Sequence, residues 1–165
     1  MPSTVRRPAE QAATCSLLDA GIFIGALLRG DPRHLEARAL VESARYGDLP
    51  ACTTIGILCE VYGALTWEGA CPPHDPAVAA EAVRVLVEPP SAIHILKEGS
   101  EVIRLALELA ATHHLTARRI HDARHAAAAL LANVRSVYTY DLHDWQAFEG
   151  HGLIIAGPPS VLLSR

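Results

Sequence analysis

The stretch Arg118–Val134, RRIHDARHAAAALLANV, decides how this chain is read. It sets His121 and His125 four residues apart with Asp122 beside the first, one methylene short of the His-Glu-x-x-His helix of zinc proteases. Alternatively Asp122 is the working residue, and the small side chains Ala123, Ala126 and Ala127 let the helix lie close against a sheet. The zinc reading fails on its requirements. Aspartate is about one bond shorter than glutamate and would have to reach a zinc-held water from the same turn. A third ligand is also needed, and His143 and His151 belong to no recognisable downstream motif. In a chain with nine histidines, one such pair is expected by chance. His121 and His125 are therefore expected on the helix surface or facing nucleic acid.

Outward from this helix the apolar pattern alternates between strand and helix, the arrangement that builds a parallel sheet covered by helices. Upstream, ATCSLLDA reads as a buried strand ending at Asp19, followed by a helix in GIFIGALLRG. A second helix, DPRHLEARALVESARYG, is expected to have Asp31 as N-cap and to end at Gly47. PACTTIG is a strand leading into the helix ILCEVYGALTWEG, and the Pro-rich GACPPHDP is a loop. A helix over Pro76–Val87, a strand SAIHIL and a helix EVIRLALELAATHH complete the approach. Downstream come a strand SVYTY, a short helix HDWQAF and a last strand GLIIAG. The expected fold class is α/β, with a central, mainly parallel sheet of four to five strands.

With 165 residues the chain fits one domain. Residues 1–13, containing Pro2, Pro8 and adjacent Arg6 and Arg7, are expected to form a flexible extension, and 14–165 the single folded domain. The longest apolar runs fall well short of the roughly 20 residues of a membrane-spanning helix, and no signal-type core follows the N-terminal arginines; a cytoplasmic protein without membrane association is expected. Cys15, Cys52, Cys59 and Cys71 form no Cys-x-x-Cys pair, so disulfides are not implied. A net charge of -4 argues against a strong general nucleic-acid binder, although much of that charge fits in one metal site.

Four carboxylates stand out. Asp19 sits at the carboxyl end of the first strand, where ligands collect in open parallel sheets, or serves only as a helix N-cap. Glu60 has Gly56, Ile57, Gly63 and Ala64 three and four positions away and no basic residue on its face, so a cation, strong donors or a distant arginine must compensate it. Asp122 is either a ligand or the partner of Arg118 one turn earlier. At the end of SVYTY, Asp141 is expected as a ligand and Asp144 as the cap of the next helix, with Thr139 on the same strand face as Asp141 and able to orient a carboxylate or a water. Carboxylates brought together repel unless a cation neutralises them, and hard oxygen donors select magnesium or manganese.

These motifs, taken in order, resemble the PIN-domain ribonucleases, the fold of the toxins in VapBC-type toxin-antitoxin pairs. LLDAGIFIGALLRGDPRH is similar to the family's opening strand, Asp and helix, and TTIGILCEVYGAL to its Ser/Thr-rich entry and Glu helix. RRIHDARHAAAALLANV resembles its Asp-Ala-x-His-Ala-Ala helix, and VYTYDLHDWQAF its Thr-x-Asp-x-x-Asp-Phe segment. The likeness runs from about Thr14 to Ala156. It implies a three-layer α/β/α fold and an acidic Mg2+ or Mn2+ site of Asp19, Glu60, Asp122 and Asp141, with Asp144 a further ligand and Thr139 in support. Arg118, Arg119 and Arg124 become candidates for RNA backbone contacts. A metal-dependent endoribonuclease, a homodimer held in check by an antitoxin protein, is the implied function; a housekeeping RNA-processing nuclease and a non-cutting RNA- or protein-binding module are the alternatives. Two departures stand out: Ala20 and Gly21 follow the first Asp where Ser or Thr is common, and Trp145 replaces a common Phe.

Overall fold

The structure, a computed structural model, describes residues 15–165; the expected extension over 1–13 lies outside them. The elements run β1 (Ser16–Leu18), α1 (Ala20–Leu27), α2 (His34–Tyr46), β2 (Ala51–Thr53), α3 (Ile55–Thr66), α4 (Pro76–Val87), β3 (His94–Ile95), α5 (Ser100–Thr112), α6 (Arg119–Leu131), β4 (Ser136–Tyr138), α7 (Leu142–Trp145), a 3-10 turn (Gln146–His151), β5 (Ile154–Gly157) and α8 (Pro159–Leu162). The strands form one sheet in the order β3-β2-β1-β4-β5, and every neighbouring pair is parallel. Parallel neighbours need crossovers, which the helices supply. The chain steps from β1 outward to β3, then returns across β1 to β4 and β5, the reversal that in parallel sheets puts the crossover helices on both faces. The result is the expected three-layer α/β/α architecture.

The core is built from both layers. Leu17 and Leu18 of β1, Val137 of β4 and Ile155 of β5 are buried beneath Ile22 and Phe23 of α1, Ile57, Val61 and Leu65 of α3, and Trp145 and Phe148. The alanine run of α6 behaves as its composition demands: Ala123 and Ala126 to Ala129 are all buried, so small side chains let this helix approach closely. Among the described residues no helix is long and apolar enough to cross a membrane.

Two element boundaries differ from expectation. Asp31 does not cap α2: its Oδ1 accepts from the Arg33 backbone N–H at 2.8 Å and both its oxygens bind the Arg33 guanidinium. Arg33 takes the cap position and the helix starts at His34. Past the last strand, α8 arises where Pro158 and Pro159 fix the backbone for a helix start. Gly47 ends α2 in the left-handed conformation, φ 85°, as a glycine allows.

Candidate active site

Asp19 follows Leu18 directly, so β1 delivers it to the carboxyl edge of the sheet beside β4, where the strand order reverses direction. Its backbone N–H donates to the Tyr138 carbonyl at 3.1 Å, tying the two strand ends together. The carboxylate is buried and fully engaged. Oδ1 accepts from the Ala20 N–H at 2.8 Å, capping α1, while Oδ2 accepts from the Thr139 hydroxyl at 2.7 Å and from Trp145 Nε1 at 3.1 Å. Asp19 is thus the N-cap of α1, placed at the carboxyl end of β1. Even with these donors, burial holds its pKa above the ordinary value, and the charge of Glu60 pushes the same way.

Asp122 comes from the other side, in the first turn of α6. Its pKa is raised to about 7, first by burial, then by the charges of Asp19 and Asp144, with Glu60 adding to them. No ion pair with Arg118 forms, and among the described residues nothing hydrogen-bonds to the Asp122 carboxylate. A half-buried carboxylate left unpartnered among other acids is an unfavourable arrangement for a solitary protein and a favourable one for a cation receptor.

Glu60 is exposed, not enclosed among apolar groups, and its compensating donor is not an arginine. Oε1 meets His125 Nε2 at 2.7 Å, and His125 Nδ1 meets the Thr54 hydroxyl at 2.9 Å. His125 is fully buried, which corrects the expectation of a surface position: on α6 it points inward between α3 and α6, because Gly56 leaves room for its ring. Only His121 is exposed.

At the end of β4 the cap falls to a different acid than expected. Asp141, expected as ligand, caps α7, its Oδ1 accepting from the Asp144 N–H at 3.1 Å. Asp144, expected as the cap, points to α6, with Oδ1 2.8 Å from Arg119 Nε. That contact is an ion pair by distance only, since the Arg119 N–H is not aimed at the oxygen. Thr139 does orient a carboxylate, that of Asp19, and its oxygen also accepts from the Asp141 N–H at 2.9 Å. Of the three arginines, Arg124 is paired with Glu98 at 2.9 Å and Arg119 with Asp144, while Arg118 is exposed.

Among the described residues no three Asp, Glu, His or Cys side chains stand close enough to cage a metal ion. What converges is charge. The charges of Asp19, Asp144 and Glu60 all act on Asp122. Missing from the sequence reading were Trp145 and Thr54, whose side chains hold Asp19 and His125. A tryptophan where the pattern favours Phe was one available signal, since its indole N–H can donate where Phe cannot, and the Ser/Thr-rich entry that holds Thr54 was the other.

Comparison with curated proteins returns no match. Among solved structures, the fold is similar to that of Mycobacterium tuberculosis VapC20, described as a sarcin-ricin loop cleaving toxin, with a TM-score of 0.62 at 21% identity, covering 86% of this chain and 98% of that one. The profile of the PIN domain matches residues 16–147. Spanning most of the sequence, from β1 to just beyond α7, that match makes the chain a member of the PIN domain family.

Proposed function

We propose that this protein is a divalent-metal-dependent endoribonuclease and the toxin of a toxin-antitoxin pair. The observation that carries the reading is Asp122: an unpartnered carboxyl raised to about 7 by burial and by Asp19, Asp144 and Glu60. A site that gathers acids without a matching cation is suited to receive one. The donors are hard oxygens, which fits Mg2+ or Mn2+ and not zinc. Asp19 and Asp122 would hold such an ion, together with Glu60, Asp141 and Asp144. When bound, such an ion supplies Lewis acidity at a phosphate oxygen and acidifies an attacking water.

The chain's own residues do the remaining work. Thr139 and Trp145 fix the Asp19 carboxylate in one orientation. Asp122 can hold a proton near neutral pH. Arg118, exposed and without a carboxylate partner among the described residues, leads the contacts to the RNA backbone, with Arg119 and Arg124 beside it on α6. Water displaces the 3′ oxygen from phosphorus, leaving a 3′-hydroxyl and a 5′-phosphate. The likeness to a toxin that cleaves the sarcin-ricin loop supports an RNA substrate and an antitoxin protein as partner; a homodimer in the cytoplasm completes the proposal.

Replacing one ligand removes a few kcal/mol of transition-state stabilisation, so Asp19→Asn and Asp122→Asn are each expected to slow cleavage of a defined RNA about a hundredfold. Unchanged rates in both variants, in a preparation freed of host nucleases, would sink the mechanism. Growth arrest on expression, relieved by the product of the adjacent upstream gene, separates a toxin from a housekeeping nuclease.

A further inference from the structure

We propose that His125 is the positioning residue for Glu60, reaching through the helix interface to fix one carboxylate oxygen so that the other faces Asp19 and Asp122. The proposal rests on the acidic-site reading above and adds to it a residue that touches neither metal nor RNA.

Glu60 and His125 differ sharply in exposure. Glu60 projects from the outer part of α3 with 40% of its side chain exposed, yet it bonds to a histidine that is 0% exposed. An exposed glutamate ordinarily samples many rotamers. Here a rigid, buried ring holds it from within the protein, and the charge of Glu60 then reaches both Asp19 and Asp122.

The direction of the hydrogen bonds follows from counting protons. Thr54 Oγ1 already accepts from the Ile57 N–H at 3.1 Å, as the cap of α3. The Glu60 carboxylate only accepts, so the proton of a neutral ring sits on Nε2, and Nδ1 then accepts from the Thr54 hydroxyl. When the ring is protonated, both nitrogens carry hydrogen. Nε2 therefore donates to Glu60. Thr54 thus closes α3 with its lone pair and orients the histidine from α6 with its proton.

Gly56 makes the reach possible. A Cβ at this position would lie 2.7 Å from His125 Cε1 and 2.9 Å from Arg124 Nη1. The glycine is a slot one turn before Glu60, cut for the ring that crosses from α6. Fully buried between two helices, the ring needs a partner at each nitrogen, and the one it takes at Nε2 is Glu60.

The test compares two buried amide replacements. His125→Gln places an N–H2 donor near the Nε2 position, facing Glu60, whereas His125→Asn keeps a polar group only near Nδ1, facing Thr54. Both are checked for folding by circular dichroism and thermal unfolding, then titrated with Mn2+ by calorimetry. Loss of an outer-shell partner typically weakens metal binding about 10- to 100-fold, and that loss is expected in the Asn variant and largely restored in the Gln variant. Adding His125→Asn to Glu60→Gln is expected to weaken Mn2+ binding no further. Equal Mn2+ affinity in wild type and the Asn variant, or losses in both variants that merely track their unfolding temperatures, overturns the proposal. If the wild-type protein takes up no Mn2+, the metal reading fails instead. Crystal structures of the two variants then decide this one: Glu60 turned away from Asp19 and Asp122 in the Asn variant alone supports it, and an unmoved Glu60 in both refutes it.

Discussion

Asp122 shows how a single carboxyl can couple stability to pH. Its folded-state pKa of about 7 stands above the ordinary 3.8, so the folded protein binds that proton more tightly than the unfolded chain. The resulting stabilisation is complete below about pH 4, fades as pH rises and is gone above about 7. Asp122→Asn, which is uncharged throughout, is expected to match wild type near pH 4 and to exceed it by about 1 kcal/mol near pH 8, a figure discounted for partial exposure; urea unfolding at the two pH values measures it. Thr139 carries a different load. Its hydroxyl serves Asp19 and the Asp141 N–H together, so the near-isosteric Thr139→Val is expected to destabilise by about 1–3 kcal/mol through unsatisfied buried groups, in the same urea assay. Sequence pattern was enough to single out Asp19 and Asp122, because one ends a strand and the other faces a run of alanines. It chose the wrong one of Asp141 and Asp144 as the cap, because the short helix begins at Leu142, so Asp141 stands at its N-cap and Asp144 already lies inside it.

The elements were readable where their punctuation was strong. Gly47 ended α2, and Pro76 began α4 as the pattern required. Misreadings fell where a side chain found a local partner, as Asp31 did in Arg33, or where contact between helices decides a residue's direction. His125 is such a case: α6 alone gives no reason for it to face inward, and the reason, a slot at Gly56, belongs to α3. Filling that slot therefore tests the pairing of the two helices. Gly56→Ala forces its new methyl against His125 and Arg124; overpacking of this kind costs about 1–3 kcal/mol, so the midpoint of denaturant unfolding is expected to fall even though alanine is the better helix former. A midpoint equal to or above that of wild type would mean that the helices slide apart freely and that the slot has no role.

Across the whole molecule, the sheet order β3-β2-β1-β4-β5 puts the first strand at the centre and draws acids from distant parts of the chain to one edge. A cation bound there competes with the proton on Asp122. Manganese is therefore expected to raise the unfolding temperature more near pH 8 than near pH 5, and a chelator to abolish the difference; scanning fluorimetry at both pH values reads this directly. The same topology sets an order in time. Asp19 is held by Thr139 and Trp145, 120 and 126 residues further along. While the nascent chain is still emerging from the ribosome, Asp19 has left the exit tunnel long before either donor has been translated. A polypeptide released early cannot assemble the pocket, so the cell that makes this protein meets its chemistry only in finished copies.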